Sequence, residues 1–367
     1  MTTGLCWNEK FMWLQPGSGA GLMLHGPDIQ PGRYNESPET KRRIRNMLEV
    51  SGLLQELVHI DARPATYEEL ASVHSSEYIN RIKTMSEADG GDAGMQAPFG
   101  KGDYEIATLA AGGAIATVDA VLGGKVDNAY ALLRPIGHHA SADFGMGYCI
   151  FNNGAIAGRH ALDTHKLDRI AYVDWDVHHG NGTQSIFYED PAALTISLHQ
   201  ENWLPPDSGH IKERGVDRGE GFNINIPLPP GSGAGAYITA FEDVVLPALR
   251  QFDPDLIFVA CGFDAGVLDP LGAMLLHSEA YRSMTRMMMQ VADEVCEGRL
   301  VFTQEGGYCE ATSPFYGLVV FETLLGKRTD IADPYLELVE HMGGQELQAH
   351  QESRIREVQA TVDISQK

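Results

Sequence analysis

The amino-acid sequence predicts one α/β domain, in which a mostly parallel sheet is covered by helices on both faces. Apolar, β-favouring runs alternate with helical patterns from about residue 129 to residue 325, as in chains of βαβ units. Polar clusters directly follow several of these runs, as they do where ligands bind at the carboxyl ends of parallel strands. No change in composition marks a linker and no internal repeat is present, so a single domain over residues 1–367 is favoured over two.

The elements expected in chain order begin with a Gly/Pro-rich loop region over residues 1–35. We expect it to form a pocket rim or a subunit contact, and a homo-oligomer is left open. Ser37 suits the N-cap and Pro38 the first position of a helix that should run to about Val50. The other predicted elements are helices at 66–85, 104–124, 183–188, 235–251, 278–297 and 313–325, strands at 129–133, 169–173, 194–198, 223–228, 256–260 and 299–303, and a polar, helical extension over 334–367.

Composition excludes several classes of partner. A net charge of −23 disfavours direct binding of nucleic acid, because the phosphates would be repelled. No basic segment followed by an apolar core begins the chain, and no apolar run is expected to cross a bilayer, so no membrane partner is predicted. The five cysteines are odd in number and lack C-x-x-C spacing, which is typical of reduced thiols in a cytoplasmic protein.

Asp174, Asp176 and His178 follow an apolar run at strict two-residue spacing. If the backbone stays extended, all three side chains leave the same face of the strand. Ionisable groups on one face of a buried strand end are costly unless they pair with one another or bind a cation. A metal ion is the simplest interpretation. The alternative is that the carboxylates cap a nearby helix and the histidine is a satisfied core residue.

Polar side chains also follow three other predicted strands: His138 and His139 after 129–133, Asp264 after 256–260, and Tyr308 after 299–303. Since the carboxyl ends of parallel strands share one edge of the sheet, these side chains should meet the run at 174–178. Asp176, His178 and Asp264 would supply one nitrogen and two carboxylate oxygens. That set leaves coordination positions open, as catalytic metal sites do.

The remaining polar residues of these loops have candidate roles in catalysis. A histidine beside a metal-bound water is a natural proton acceptor, since its pKa lies near neutrality. The phenol of Tyr308 could stabilise an oxyanion, and the alternative is a tyrosine that closes a turn. Asp269 is interpreted as a turn cap before Pro270.

Together these segments resemble the zinc-dependent histone deacetylase family, in particular its class II members and their bacterial amidohydrolase relatives. The segments that carry the resemblance are Arg134-Pro-Ile-Gly-His-His-Ala140, Gly147-Tyr-Cys-Ile-Phe-Asn-Asn153, Val173-Asp-Trp-Asp-Val-His-His-Gly-Asn-Gly-Thr-Gln184, Gly262-Phe-Asp-Ala265 and Glu305-Gly-Gly-Tyr308. The resemblance implies the arginase/deacetylase fold and removal of an acetyl, or a longer acyl, group from acyl-lysine or a related acylated amine.

The resemblance also implies a role for each matching residue. The zinc (Zn²⁺) ligands would be Asp176, His178 and Asp264. His138 and His139 would be the paired histidines, with His139 as general base and Asp174 behind His138, and Tyr308 would polarise the acyl carbonyl. The Gly147 carbonyl would accept the N–H of the scissile amide, and Tyr148 would form one wall of the tunnel for the acyl-lysine.

Two structural potassium (K⁺) sites are implied in the same way. Their matching residues are Asp174, Asp176, His178, Ser197 and Leu198 for the first site, and Phe187, Asp190, Ala193 and Phe222 for the second.

Three positions depart from the family's pattern. Asn181 stands where class I members have Asp, so His139 lacks a carboxylate partner and should have a lower pKa and a neutral resting state. Leu204 replaces an aromatic residue of the tunnel, which should then be wider and accept longer acyl groups. Leu271 stands where polyamine-selective relatives carry an acidic residue, which argues against strong polyamine selectivity.

Rival functions stay open at this point. An acetylpolyamine or other small-molecule deacetylase would use the same chemistry. A binuclear guanidino hydrolase would need carboxylates where Gly180 and Gly266 stand, and an inactive acyl-lysine-binding module would be expected to lose Tyr308 or a metal ligand. The sequence does not distinguish zinc from iron.

Overall fold

Eight parallel strands form the central sheet in the computed structural model, which describes residues 1–20, 23–24, 26–32 and 34–363. The strands are β1 (Thr3–Cys6), β2 (Val58–Ile60), β3 (Asn128–Ala131), β4 (Ile170–Asp174), β5 (Ala193–Gln200), β6 (Asn223–Leu228), β7 (Leu256–Cys261) and β8 (Leu300–Gln304). Their order is β6-β5-β4-β7-β8-β3-β1-β2. The chain passes outward from β4 to β6 and then returns beside β4 as β7, so the strand order reverses between β4 and β7. A crevice is expected at their carboxyl ends.

Helices cover both faces of this sheet, as predicted. They are α1 (Pro38–Val50), α2 (Tyr67–Ala71), α3 (Ser76–Glu87), α4 (Asp103–Leu122), α5 (Asn153–Asp163), α6 (Asn181–Phe187), α7 (Ala234–Ala240), α8 (Leu246–Phe252), α9 (Ser278–Val295), α10 (Ser313–Leu324), α11 (Leu336–Glu340) and α12 (Ala349–Gln359).

Alternate residues of the central strand β4 enter two separate cores. In β4, Ala171 and Val173 belong to the core beneath α7–α10, whereas Ile170 and Tyr172 belong to the core beneath α4 and α5. A strand that is buried on both faces reads as a continuous apolar run, which is why β4 was recognisable in the sequence.

Helix α1 begins with the capping residues that the sequence predicts. The hydroxyl of Ser37 accepts a hydrogen bond from the backbone N–H of Glu39, and Pro38 occupies the first turn, where no N–H is needed. The predicted start and end of this helix are confirmed.

Several predicted elements are wrong in extent or were missed. The 66–85 helix is two helices, α2 and α3. The 235–251 helix contains a π-helical segment, Phe241–Val245, which ends just before Pro247, a residue with no N–H to donate.

The predicted loop region over 1–35 contains strand β1, which lies inside the sheet between β3 and β2. Gly4 lets this strand approach its neighbours, since a Cβ there would lie 3.1 Å from the Cβ of Ala129. Helix α5 was missed because Gly154 and Gly158 interrupt its pattern. A Cβ at Gly158 would collide with the Tyr172 hydroxyl, so glycine is required where the helix crosses the sheet.

Helix α4 corrects the expectation about membrane spans. It is long and apolar enough to cross a bilayer by length and composition, although most of it is buried within the fold. Its buried residues pack in the second core. Gly112 packs against the backbone carbonyl of Arg63, so the helix behaves as the core helix of a packed domain.

Candidate active site

The crevice between β4 and β7 holds the polar residues that follow four strands. Strand β4 ends at Asp174, so the extended backbone expected through residue 178 is not maintained. The alternation of side chains nevertheless persists, because Trp175 and Val177 enter the core while Asp176 and His178 face the crevice residue Asp264. Only the regular strand ends early.

Asp176, His178 and Asp264 form a buried group that we call the buried trio. His178 Nδ1 lies 3.0 Å from Asp176 Oδ1 and 3.1 Å from Asp264 Oδ2. The donor atoms of the three residues all lie within 4.8 Å of one another. The trio therefore presents one imidazole nitrogen and two carboxylates to a single point.

Backbone amides hold both carboxylates of the trio in place. Asp176 Oδ2 accepts a hydrogen bond from the Gly306 N–H at 2.7 Å, and Asp264 Oδ1 accepts one from the Val177 N–H at 2.8 Å. Such support fixes the orientation of ligand side chains before a cation arrives. The loops after β4, β7 and β8 are thereby tied together at the site.

The charges of the trio favour a cation. Burial lowers the pKa of His178, but hydrogen bonds to Asp176 and Asp264 outweigh it and raise the pKa to about 10. Burial and the neighbouring carboxylate of Asp176 raise the pKa of Asp264 to about 6. A proton and a metal ion compete for the same nitrogen of His178, so metal binding here should release a proton.

His138 and His139 line the same crevice from the loop after β3, with ring centroids 4.0 Å apart. His138 Nδ1 lies 2.9 Å from Asp174 Oδ2, and His139 Nδ1 lies 2.7 Å from Asn181 Oδ1. Because both oxygens accept, both Nδ1 atoms donate, and the Nε2 atoms remain available to a substrate. The buried Nε2 of His138 has no hydrogen-bond partner among the described residues.

The pKa values of the two histidines are shifted in opposite directions. Burial lowers the pKa of His138, but the carboxylates of Asp174 and Asp176 raise it to about 10. For His139, burial and then the charges of His138 and His178 hold the pKa well below its usual range. The direction for His139 is the expected one, but its main cause is burial and neighbouring cations and not the amide of Asn181.

Tyr308 closes the site from the loop after β8. Burial, followed by the carboxylates of Asp264 and Asp176, raises its pKa well above the usual range, so the phenol stays protonated and can donate. Asp269 Oδ2 accepts the backbone N–H of Tyr308 at 2.7 Å, and its Oδ1 accepts that of Leu271 at 2.9 Å. Asp269 is thus a turn cap, as expected, and it also positions Tyr308.

A narrow cavity of about 30 Å³ leads from the surface to this group. Gly147 and Tyr148 both have positive φ angles, of 52° and 68°. A Cβ on Gly147 would lie 2.5 Å from the ring of His139, so this wall requires glycine. The residues that line the cavity are Met95, Gln96, His139, Met146, Gly147, Tyr148, His178, Leu204, Pro205, Leu271 and Tyr308.

The same arrangement is found in known proteins. Residues 34–318 match the family described as Histone deacetylase domain. The chain belongs to the histone deacetylase family. A Histone deacetylase-like amidohydrolase from Pseudomonas aeruginosa is 48% identical over 341 residues, which cover 92% of this chain and 90% of that protein. A Probable deacetylase from Archaeoglobus fulgidus is 36% identical over 312 residues, or 83% and 86% of the two chains.

Among solved structures, the crystal structure of the HDA15 HD domain matches with a TM-score of 0.85 at 31% identity. The match covers 98% of this chain and 96% of that one. The predicted fold and the resemblance are therefore confirmed.

Glu305 also lies in this deacetylase-family site, and no role was predicted for it from the sequence. Its Oε2 accepts the backbone N–H groups of Gly137 and His138 at 2.8 and 3.1 Å, and Thr303 donates to Oε1 at 3.2 Å. Burial raises the pKa of Glu305 to about 7. The acidic residue among the glycines was visible in the sequence, but only the fold shows that it holds the histidine loop.

Arg134 also acquires a role from the structure. Its guanidinium lies 3.0 and 2.9 Å from the two carboxylate oxygens of Glu36 and donates to the carbonyls of Met12 and Leu14. This fully buried ion pair ties the N-terminal region to the loop that carries His138.

The three residues that depart from the family's pattern lie beside the cavity or beside His139. Leu204 and Leu271 both line the cavity, and Asn181 contacts His139. Trp203 donates its indole N–H to the Leu271 carbonyl at 2.7 Å, which joins these two parts of the wall. The predictions of a wider tunnel and of weak polyamine selectivity stay predictions.

Potassium binding also stays a prediction. Asp174 and Ser197 are register partners on β4 and β5, with Leu198 next to Ser197. At the second set, the carbonyls of Phe187, Asp190 and Phe222 each accept a backbone hydrogen bond, from Asp190, Ala193 and Thr195. A carbonyl with one hydrogen bond keeps a second lone pair that a cation can use.

Proposed function

We propose that this protein is a zinc-dependent amidohydrolase that removes acetyl, or longer acyl, groups from acyl-lysine or a related acylated amine. The observation that carries the proposal is the meeting of the buried trio, the histidine pair and Tyr308 beside one cavity, which His139, His178 and Tyr308 line. Family membership supports the same chemistry.

The donor set fits zinc. Asp176, His178 and Asp264 would hold the ion, and their mixture of one imidazole and two carboxylates is typical of catalytic zinc sites. A zinc ion bound there would act as a Lewis acid towards an acyl oxygen and would bring the pKa of a bound water to about 7. Iron(II) accepts similar ligands and is the alternative metal.

His139 is the general base in this proposal. Its Nδ1 donates to Asn181, so Nε2 carries the lone pair, and its lowered pKa keeps that lone pair free at neutral pH. His139 Nε2 takes a proton from the attacking water. The protonated hydroxyl of Tyr308 donates a hydrogen bond to the oxygen of the acyl group as negative charge develops on it.

His138 is the proton donor to the departing amine that the charge distribution favours. Its raised pKa favours the protonated form at neutral pH, and its buried Nε2 has no hydrogen-bond partner among the described residues. The alternative is that His139 returns the proton it has taken. In either case the carbonyl of Gly147 accepts the N–H of the amide, and Tyr148 and Leu204 flank the alkyl stem.

The cavity wall supports one of the candidate amines over the other. No carboxylate is present among the described residues that line the cavity, so a polyamine's second ammonium group would find no partner there. This favours acyl-lysine over acetylpolyamine, and deacylation of a polyamine is the second candidate function.

Neither of the other rivals is favoured by the geometry. A binuclear guanidino hydrolase needs ligands for a second metal, and Gly180 and Gly266 have no side chains to supply them. The carboxylate of Glu305 does not fill this role, because both of its oxygens already accept hydrogen bonds from the protein. All three trio residues and Tyr308 are present, unlike in an inactive binding module.

The proposal is tested with zinc-loaded protein on a panel of acetyl-lysine and longer acyl-lysine peptides, acetylpolyamines and free acetyl-lysine. We expect hydrolysis of lysine amides, and we expect Asp264→Asn to lose both the zinc held by the buried trio and hydrolysis. The exposed Asp163→Asn variant is the matched control and should keep both. Hydrolysis that persists after the metal is removed, or no cleavage of any amide in the panel, would refute the proposal. Preferential cleavage of the polyamines would establish the second candidate.

The proton donor is identified with two leaving groups. An alkylamine needs protonation to depart, whereas an aminocoumarin does not need it to the same degree. If His138 is the donor, His138→Asn slows the lysine amide much more than the coumarin amide, while His139→Asn slows both alike. The reverse pattern would assign the donor to His139.

A further inference from the structure

A second group of metal-binding side chains lies on the helical layer that covers the sheet. Asp119 lies near the end of α4, and His160 and His165 lie in the last turn of α5 and just after it. We call them the helix trio. None of the three lines the cavity described above.

Both histidines of the helix trio point the same atom at the same oxygen. The Nε2 atoms of His160 and His165 lie 2.8 and 2.7 Å from Asp119 Oδ1. Their rings are 5.4 Å apart and inclined at 74°, so the two nitrogens approach from different directions. All three donor atoms lie within 4.8 Å of one another.

The surroundings of the helix trio favour the binding of a cation. The Thr164 hydroxyl lies 3.3 Å from His160 Nδ1, and such a contact fixes a ring for coordination through its other nitrogen. The nearby guanidinium of Arg63 makes hydrogen bonds of 2.8 and 2.6 Å to Glu69. Among the described residues, the ion pairs of Asp119 are with the two histidines, so its charge is not neutralised by Arg or Lys.

We propose that Asp119, His160 and His165 bind a borderline divalent cation, such as Zn²⁺ or Cu²⁺, at a second site that fastens α4 to α5. Two imidazoles and one carboxylate suit these metals, whereas Mg²⁺ and Ca²⁺ prefer oxygen ligands throughout. The side chains of His160, His165 and Asp119 are 11%, 27% and 42% exposed, so an ion can enter from solvent and water can complete its coordination. Asp119 is 41 and 46 residues from its partners, so the ion would link distant parts of the chain.

The first test measures metal content and thermal unfolding of protein whose catalytic site is already loaded with zinc. In wild type we expect a second zinc equivalent after equilibrium dialysis and a further rise of the unfolding temperature with added Zn²⁺, since the ion binds the folded state. In His165→Gln the second equivalent and the further rise should both be lost. Glutamine keeps a hydrogen-bond donor towards Asp119, so a cluster that is only hydrogen-bonded would behave alike in both proteins, and that result would overturn the proposal.

The matched control is His59→Gln. His59 Nε2 lies 3.1 Å from Asp61 Oδ1, an exposed His–Asp pair that belongs to no three-residue group among the described residues. This variant should keep the second equivalent. Retained deacylation by His165→Gln shows that the variant is folded, and if it is inactive the His160→Gln variant takes its place.

The second test identifies the ligand atoms of the proposed metal site by spectroscopy. Cu²⁺ added to the zinc-loaded protein should give an electron paramagnetic resonance spectrum with hyperfine splitting from two nitrogens. The splitting should reduce to one nitrogen in His165→Gln. Identical spectra for the two proteins would contradict the assignment.

Discussion

The buried trio and the helix trio contain the same two residue types, two Asp and one His in the first and one Asp and two His in the second, and they differ in what surrounds them. The buried trio lies at the carboxyl ends of β4 and β7, where the backbone amides of Gly306 and Val177 hold its carboxylates. The helix trio lies between two helices and is partly open to solvent.

The difference concerns the groups that a proposed catalytic site needs besides its metal ligands. Around the buried trio, His138, His139 and Tyr308 arrive from two further strands, and burial together with neighbouring charges shifts the pKa of each. Around the helix trio no such acid, base and phenol converge among the described residues. A cation could be bound at either place, but only the strand-end crevice adds groups that move protons.

The largest effect that distinguishes the two places is expected from Tyr308→Phe. Removing the hydroxyl takes away a donor to the developing oxyanion, which should lower kcat by about 10²–10³-fold. The measurement is steady-state hydrolysis of an acetyl-lysine peptide, together with zinc content, which should be unchanged.

Tyr172→Phe is the matched control for that variant. Tyr172 is also buried, and its hydroxyl donates to the Gly154 carbonyl at 3.1 Å on the other face of the sheet. This control should keep near-normal kcat. Near-normal kcat in Tyr308→Phe would show that its phenol does not act on the substrate.

A smaller effect is expected from Glu305→Gln. Glutamine keeps one acceptor oxygen for the N–H groups of Gly137 and His138, but it removes the negative charge that strengthens both hydrogen bonds, so the loop carrying His138 should be held less firmly. Loss of such support lowers activity by roughly 10–100-fold. We expect kcat/KM on the lysine peptide to fall by this amount.

Asp119 in the helix trio provides the control variant for Glu305→Gln. Asp119→Asn changes the carboxylate of the helix trio in the same way, and it should alter kcat/KM by less than about twofold, as for a surface change away from the site. Equal losses of activity in the two variants would contradict the functional separation of the helix trio from the buried trio.

The catalytic group was largely predictable because its signals are local. A β-favouring run followed by ionisable residues at two-residue spacing predicts a strand end at an edge where ligands bind. Asp176, His178 and Asp264 could be selected in this way, and the structure brings them together. The family resemblance added the roles of His138, His139 and Tyr308.

Other features depend on contacts that sequence patterns do not contain. Strand β1 is four residues long and holds a glycine, and α5 holds two, so their identity comes from packing and not from propensity. The role of Glu305 requires knowing which amides approach it. The helix trio requires the relative rotation of α4 and α5, because its residues lie 41 and 46 positions apart.

The smallest effect concerns the stability of the loops that surround the site. It depends on the protonation of the buried His74. His74 Nδ1 donates to the Ser141 carbonyl at 2.9 Å, and its Nε2 accepts the N–H of Asn152 at 3.0 Å. Burial lowers the pKa of His74 from 6.5 to about 4. The unfolded chain therefore binds the proton first, and the stability that neutral His74 contributes is lost as pH falls below about 6.5 towards 4.

We expect His74 to lower the free energy of unfolding by about 1 kcal/mol between pH 7 and pH 5.5, measured by urea denaturation of the metal-loaded protein. His74→Gln can keep both hydrogen bonds but cannot titrate, so its stability should fall less over the same interval. The exposed His59→Gln variant should retain the wild-type dependence. Equal slopes for wild type and His74→Gln would show that another buried group gives the acid sensitivity. Unequal slopes would show that the loops behind the buried trio depend on a neutral imidazole.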